Sequence, residues 1–303
     1  MRKHVLTSAL VLVLGAAPVL AVAAVPGENT GPSPIRTEAA KLTPWISVTS
    51  AQDIAGRMLR DPQGREAGRI RSIVVDLERG DAAYALVGSA GALDIGESHA
   101  AVPFSALHLS RDEDVMNVAL SVDRIAAGPR FDPARLDELG EPGRVGQIYE
   151  HYAIAMPSGY VLPPSGERAV HPDRFVLVRP GEILRLGPAW TVAQDVRGEV
   201  VKAANGDTIG EIDRIMIDPS TGRIAYLLLS RGGFLGIGEE WVPVPAQAVA
   251  WSSQADAFTL KSGAAQPERI TQLQHDEVPT QVQRDQLQAL YERYGVTPYW
   301  QEG

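Results

Sequence analysis

The chain repeats itself at an interval of 142 residues, and this repeat constrains the fold more than any other feature of the sequence. The segment TSAQDIAGRMLRDPQGREAGRIRSIVVDLERGDAAYALV, residues 49–87, aligns without a gap with TVAQDVRGEVVKAANGDTIGEIDRIMIDPSTGRIAYLLL, residues 191–229. The register slips by four residues near Pro129 and Pro267 and then recovers, so that IYEHY aligns with LYERY again 142 residues later. Ungapped identity over tens of residues indicates an internal duplication, and we expect two copies of one structural unit.

Each copy has the pattern of several short strands. In the second copy, the Asn205-Gly206 pair is suited to a tight turn. The alternation in TIGEIDRIMID predicts a half-buried strand with an irregularity between Ile212 and Ile215. RIAYLLLS predicts a buried strand. Because proline cannot donate to the ladder, WVPVP predicts either an edge strand or a strand whose proline nitrogens face outward. Five or six short strands within about 75 residues are typical of a small barrel.

A helix is predicted to close each copy. The segment PTQVQRDQLQALYERYG has apolar residues at helical spacing from Val282 onward, and Gly295 is the expected C-terminal stop. The tyrosines Tyr149 and Tyr152 of the first helix are three residues apart, as are those of the second, so each pair shares one helix face. We expect these tyrosines to pack against the barrels.

The order of these motifs resembles the PRC-barrel family, which is named for the cytoplasmic domain of the photosynthetic reaction-centre H subunit. The motifs that carry the resemblance are G-x-x-I-G-x-I, I-x-I-D-x-x-x-G-x-I-x-Y-L-L-L, G-G-F-L-G-I-G and W-V-x-V-P; the closing LYERYGVTPYW is similar to the tail of exported members. The second copy matches from Asp195 to about Leu260, and the first from Asp53 to about Val118 with a different glycine loop. The resemblance implies a mainly β fold of two tandem small PRC-type β-barrels, each followed by an α-helix. It also implies a binding or assembly role without shared catalytic residues.

The N-terminus has the pattern of a signal peptide. A positive start is followed by the apolar run from Val5 to Leu20 and by the small-residue motif Ala21-Val22-Ala23. The alternative is an uncleaved membrane anchor, since residues 5–25 are just long enough to cross a bilayer. We expect a periplasmic or secreted protein, with a membrane tether only if the segment stays uncleaved.

The expected division of the chain follows from the repeat and the composition. Residues 1–23 are the signal peptide, 24–44 an extended or disordered linker, 45–157 the first repeat with its helix, 158–188 a Pro-rich linker and 189–300 the second repeat with its helix. Within the Pro-rich linker, RFVLVRPG can add one strand.

Charge and residue types exclude several classes of function. The net charge is −9, and loss of residues 1–23 removes Arg2 and Lys3, which argues against binding to nucleic acid or to anionic membranes. The chain has no Cys, and no pair of its six His residues has H-x-H or H-x-x-x-H spacing, so we expect no thiol chemistry and no metal site. A G-x-S-x-G motif is also missing from the sequence. We therefore expect no enzymatic activity and no cofactor.

The glycine-rich stretch RGGFLGIGEEWVPVP, residues 231–245, is the candidate partner-binding site. A phosphate loop lies between a strand and a helix, whereas this stretch lies between two predicted strands and carries Glu239 and Glu240. Two interpretations remain, a simple hairpin and an apolar tip that contacts another protein. The candidate contact residues are Phe234, Leu235, Ile237 and Trp241, with Leu93 and Ile95 in the first copy.

A second group of residues is expected to build turns and strand contacts. Its members are Gly64, Gly68, Asp76, Gly206, Gly210, Asp218, Gly222, Gly236 and Gly238. Each aspartate ends a predicted strand before a turn, where the side chain commonly bonds its own backbone. At the C-terminus, Tyr299 and Trp300 either fold back onto a barrel or bind a partner.

Two functions remain open from the sequence. The first is an exported, non-enzymatic binding or scaffolding protein with an unknown protein partner, active in assembly in the cell envelope. The alternative is a protein that binds a small ligand or a cation, either in a cleft between the barrels or at acidic loops. The acidic residues concerned are Asp207, Glu211, Asp213, Glu239 and Glu240.

Overall fold

The fold is taken from a computed structural model of the chain. It describes residues 45–88, 98–110, 114–132, 142–155, 175–186, 193–195, 197–232, 240–252, 254–255, 257–261, 273–274 and 278–301. The expected signal peptide and the 24–44 linker lie outside the described residues. Among the described residues, no helix is long and apolar enough to cross a membrane.

The first repeat is built mainly of short strands. Its elements are β1 (Trp45–Ser47), β2 (Thr49–Ser50), α1 (Ala51–Ile54), β3 (Met58–Arg60), β4 (Glu66–Asp76), β5 (Asp81–Gly88), β6 (His99–Pro103), β7 (Leu107–Leu109), β8 (Val115–Val118), α2 (Val122–Ala126), β9 (Arg130–Phe131) and α3 (Pro142–Tyr152). Strands β3 to β6 form an antiparallel sheet, and β9 pairs with β6. Strand β8 pairs with β7 and returns to β3 in parallel.

The second repeat has the same order of elements, and a hairpin of two strands, β10 and β11, comes before it. Its elements are β10 (Phe175–Arg179), β11 (Glu182–Leu186), β12 (Ala193–Asp195), β13 (Val200–Lys202), β14 (Thr208–Asp218), β15 (Arg223–Arg231), β16 (Glu240–Val244), β17 (Val249–Ser252), β18 (Ala257–Leu260), β19 (Leu273–Gln274), β20 (Gln281–Gln283) and α4 (Arg284–Arg293). The antiparallel order β13–β14–β15–β16 and the parallel pairing of β18 with β13 repeat the first copy. The mainly β prediction is confirmed: β6 pairs with β5 and β9, and β16 pairs with β15 and β19.

The irregularity predicted in the long strand is confirmed. The pairing of β14 with β15 shifts register between Ile212 and Arg214, and β4 shifts at the equivalent place between Ile70 and Ser72. The extra residue breaks the alternation of apolar residues, which is why the sequence shows it.

The closing helix begins later than its apolar pattern suggested. Val282 lies in β20, where it pairs with Ile46 of β1, and α4 starts at Arg284. This pairing joins the two ends of the described chain. Helical spacing cannot reveal it, because the partner strand is more than 200 residues away in the sequence.

Each repeat pairs with strands that come at or just before the start of the other repeat in the chain. Strand β2 pairs with β14, where Ser50 lies opposite Met216, and β1 pairs with β20. In the opposite direction, β10 pairs with β4, and Val178 lies opposite Ile73. The 158–188 segment, expected as a linker that adds one strand, therefore contributes two strands, β10 and β11, to the sheet of the first repeat.

The two repeats share their main hydrophobic core. One cluster of buried side chains runs through both copies and includes Ile73, Val176 and Ile215. A smaller cluster lies on the outer face of β14–β16, where Met216 and Trp241 are packed beneath α4. Because the main cluster crosses from one copy to the other, packing of either repeat depends on the other.

Candidate functional site

The turns that end β4 and β14 contact each other through the backbone. The amide of Ala82 donates to the carbonyl of Gly222 over 2.8 Å, and the amide of Ile224 donates to the carbonyl of Gly80 over 2.8 Å. Positions 80 and 222 are equivalent in the repeat, as are 82 and 224. The two bonds are therefore reciprocal, and they define a local pseudo-twofold axis between the repeats. We call this the dyad contact.

Side chains of each repeat pack on the glycine of the other at the dyad contact. Gly222 has φ +75° and faces Phe104, whose Cδ1 would lie 3.0 Å from a Cβ added to that glycine. Gly80 has φ +69°, and a Cβ there would collide with the Gln247 amide. Both positions therefore favour glycine for the turn conformation, and at Gly222 the Phe104 ring also leaves little room for a side chain.

The aspartates that precede these turns are buried and bonded locally. The Asp76 carboxylate accepts a hydrogen bond from the Arg79 amide at 3.1 Å, and that of Asp218 accepts one from the Ser220 amide at 2.9 Å. The Tyr299 hydroxyl donates to the second oxygen of Asp218 at 2.9 Å. Burial, reinforced by the Asp218 carboxylate, raises the pKa of Tyr299, so the hydroxyl keeps the proton that it donates.

The hydrogen bond from Tyr299 to Asp218 shows that the C-terminus folds back onto a barrel, which was one of the two alternatives for this segment. Tyr299 folds back onto the second barrel and is buried, and the Arg223 guanidinium carbon lies 5.8 Å from the centre of its ring. Trp300 is half-buried beside it, with the ring centres of Tyr299 and Trp300 4.9 Å apart. The C-terminal aromatic residues are thus part of the barrel's outer packing.

The remaining turn and strand glycines occupy two kinds of position. Gly64 and Gly206 lie in the equivalent turns before β4 and β14, with φ +77° and +90°. Gly210 lies in β14, where an added Cβ would be 2.6 Å from the Ser230 carbonyl oxygen, and Gly68 makes the equivalent close approach to β5. Gly236 and Gly238 lie outside the described residues.

Most of the candidate contact residues also lie outside the described residues. This holds for Phe234, Leu235, Ile237, Leu93 and Ile95. Trp241 is described: its side chain is 3% exposed and packs in the smaller core cluster, with the Arg214 guanidinium carbon 5.8 Å from its ring centre. It therefore supports the barrel and offers no surface to a partner in this conformation.

The strands that flank the two glycine loops begin at the dyad contact. Asp81, the first residue of β5, lies opposite Arg223, the first residue of β15, in an antiparallel bridge. The two strands have 8 and 9 residues and run in opposite directions. At ~3.3 Å per residue, each strand extends up to about 25 Å from the axis. The two strands therefore lead away from the bridge in opposite directions, toward Gly88 and Arg231.

The acidic residues of the second repeat are partly compensated by arginines. Asp213 lies 3.3 Å from Arg214 and 3.8 Å from Arg197, and Asp207 accepts a hydrogen bond from Asn205. No group of three or more acidic or histidine side chains in the described part of the chain has the arrangement of a metal site.

Two sets of hydrogen bonds that join distant parts of the chain were not predicted from the sequence, although the helix tyrosines were expected to pack against the barrels. The Gln52 side chain bonds the backbone of the β14 irregularity, donating to the Asp213 carbonyl at 2.9 Å and accepting from the Ile215 amide at 3.3 Å. Tyr149 donates to the Ala83 carbonyl at 2.8 Å, and its equivalent, Tyr291, donates to two consecutive carbonyls of β15. The identity of Gln52 with its counterpart in the second repeat was a visible indication of such a role, but not of its partner.

Comparison with known proteins agrees with this architecture. The family model described as PRC-barrel domain matches residues 48–125 and 193–266, which together make up about half of the chain. No curated protein has a significant sequence match to the chain.

Proposed function

The chain belongs to the PRC-barrel domain family, and from this premise we propose that it is an exported, non-enzymatic scaffold that holds protein partners together in the cell envelope. Export is supported by the N-terminal pattern of a positive start, an apolar run and Ala21-Val22-Ala23. A binding role agrees with the two repeats, each of which has a glycine-rich sequence segment between equivalent strands.

The observation that carries this proposal is the opposed direction of β5 and β15. Both strands start at the dyad contact and run away from it, so the loops that follow Gly88 and Arg231 begin far apart. Attachment points at the far ends of two diverging strands suit a protein that bridges partners. They are less suited to enclosing one small molecule, which requires converging walls.

The composition of the loops supports a protein partner. The second loop contains Phe234, Leu235 and Ile237 within four residues, and apolar side chains of this kind supply the buried centre of protein interfaces. The first loop keeps Leu93 and Ile95 but has no phenylalanine. We infer that the two loops bind different partners, or the same partner with different strength.

The alternative, a small ligand or cation held between the barrels or by acidic loops, has less support. The described part of the dyad contact is occupied by Phe104 and Gln247 rather than open. Thermal unfolding measured with a panel of divalent cations and metabolites addresses this alternative directly. A reproducible rise in melting temperature with one compound would favour it over the scaffold.

The experiment that tests the scaffold is site-specific photo-crosslinking in the cell. A photoreactive residue is placed at Phe234, at Leu93 in the first loop and, as a matched control, at the exposed Ser220 of a described turn. We expect a discrete crosslinked protein from Phe234 and none from Ser220. Absence of a crosslink from both loops, with the protein folded and correctly localised, would refute a partner site at these loops.

The same cells test export. Mass spectrometry of the purified protein gives its N-terminal residue, and fractionation gives its compartment. Cleavage after Ala23 and recovery with periplasmic or secreted proteins are expected. A retained N-terminus in the membrane fraction would replace the exported scaffold by a membrane-tethered one, and a retained N-terminus in the cytoplasm would contradict the proposal.

A further inference from the structure

We propose that the surfaces joined at the dyad contact are complementary to each other and not to themselves, so that each repeat selects the unlike repeat as its partner. The proposal concerns how the two halves of the chain recognise each other, and it does not depend on the proposed scaffold function.

The first observation is the charge of the residues on the axis. Asp81 and Arg223 occupy the same position of the repeat, and they lie directly opposite each other in the antiparallel bridge. In a pairing of like repeats about the same axis, this position would face itself. Two first repeats would set Asp against Asp and two second repeats Arg against Arg. Directly opposed like charges destabilise strand pairing, whereas opposite charges stabilise it.

The charges around this position also differ between the two repeats. Asp81 is 5% exposed, and its carboxylate lies 3.3 Å from the Arg79 guanidinium. At the equivalent of Arg79, the second repeat has Thr221. In a pair of first repeats each Asp81 would keep its own Arg79, which partly offsets the repulsion between the carboxylates. In a pair of second repeats Arg223 would face Arg223, with Thr221 at the position of Arg79.

The second observation is the packing on the two glycines. Phe104 of the first repeat packs on Gly222, but the second repeat has Ala246 at the position of Phe104. A pairing of two second repeats would therefore lose the one phenylalanine ring of the contact and set the smaller Ala246 against each Gly222. In the other direction, Gln247 packs on Gly80, and its first-repeat equivalent is the shorter Ser105.

These differences act in the same direction. The duplicated backbone contact is kept in both copies, as the two reciprocal hydrogen bonds show, while the side chains around it have diverged in charge and size. The shared backbone lets any two repeats approach. The side chains then favour the unlike pair, which a single chain always contains.

An exchange of surface residues in the full-length protein tests the proposal. The first variant carries second-repeat residues in the first repeat: Arg79→Thr, Asp81→Arg, Phe104→Ala and Ser105→Gln. The second carries the reciprocal changes: Thr221→Arg, Arg223→Asp, Ala246→Phe and Gln247→Ser. The third variant combines all eight changes and so restores an unlike pair with its two sides exchanged.

We expect the first and the second variant, the two half-exchanges, each to melt about 10 °C below the natural protein. The third variant, the full exchange, should regain at least half of the melting temperature that the second variant lost. The Arg223–Tyr299 contact is lost in both the second and the third variant, so this comparison isolates the dyad contact. If the half-exchanges fail to fold, a folded third variant supports the proposal and an unfolded one overturns it. The proposal would also be overturned if the decreases in melting temperature of the two half-exchanges simply added in the third variant. The same holds if the half-exchanges were as stable as the natural protein.

Discussion

At the scale of single residues, equivalent tyrosines of the two helices make the same bond. Tyr149 donates to the carbonyl of Ala83, and Tyr291 donates to the equivalent carbonyl of Ala225. Burial raises the pKa of Tyr149, so its hydroxyl stays protonated and remains a donor. Tyr152 shares the helix face and is equally buried, but its hydroxyl has no hydrogen-bond partner among the described residues.

This difference predicts unequal effects of removing the two hydroxyls. Tyr149→Phe leaves a buried carbonyl with one bond fewer and should reduce the free energy of unfolding by about 1–2 kcal/mol. Tyr152→Phe removes an unpaired polar atom and should change it by less than about 0.5 kcal/mol or raise it. Urea unfolding of both variants measures the difference. Equal losses would mean that the Tyr149 hydrogen bond does not stabilise the fold.

The sequence predicted the position of these tyrosines but not their different roles. Their spacing of three residues shows that they share a helix face. Which hydroxyl reaches a carbonyl depends on how the helix lies on β5, and that is decided by packing between distant parts of the chain.

At the scale of elements, the two closing helices end in the same way with different residues. In α4, the amide of Val296 donates to the Tyr291 carbonyl at 3.0 Å, and Gly295 has φ +65°. After α3, the amide of Ile154 donates to the Tyr149 carbonyl at 3.1 Å, and Ala153 adopts φ +53°. Among the described residues, Ala153 is the one non-glycine with positive φ. Its Cβ makes this conformation costly.

Exchange of these two residue types should therefore have opposite effects. Ala153→Gly relieves the conformational cost and should raise the free energy of unfolding by about 0.5–1 kcal/mol. Gly295→Ala introduces the same cost and should lower it by about 1 kcal/mol. Thermal unfolding followed by circular dichroism compares both with the natural protein. A destabilised Ala153→Gly variant would contradict this explanation.

Local patterns were reliable for elements whose partners are near in sequence. The irregularity of β14 and the stop at Gly295 each follow from a few neighbouring residues. The hairpin β10–β11 was only partly predicted, because its role as cover for β4 depends on a strand about 100 residues earlier.

At the scale of the whole molecule, the two repeats are joined by strand pairing and by a shared core. Strand β2 of the first repeat lies on β14, β10 of the second lies on β4, and the main core crosses between them. Either half alone would expose apolar surface that the other half normally covers. We infer that the repeats fold and unfold together.

Cutting the connection between the repeats tests this cooperativity. A protease site inserted between residues 165 and 170 allows the folded protein to be cleaved once. We expect the two fragments to co-elute in native gel filtration and to separate only in denaturant, because the exchanged strands and shared core hold them together. As a control, each fragment produced alone should be poorly soluble or unfolded. Fragments that separate under native conditions and remain folded would show two independent domains.

The sequence by itself determined the duplicated barrel plan, its turns and its closing helices. These features depend on local backbone preferences and on apolar periodicity, which the repeat displays twice. Only the tertiary structure decided that each repeat is covered by a segment from the other half, that Trp241 is buried, and that Asp81 faces Arg223. These contacts join residues far apart in the chain, and their free energy comes from surfaces that exist only after both barrels have formed.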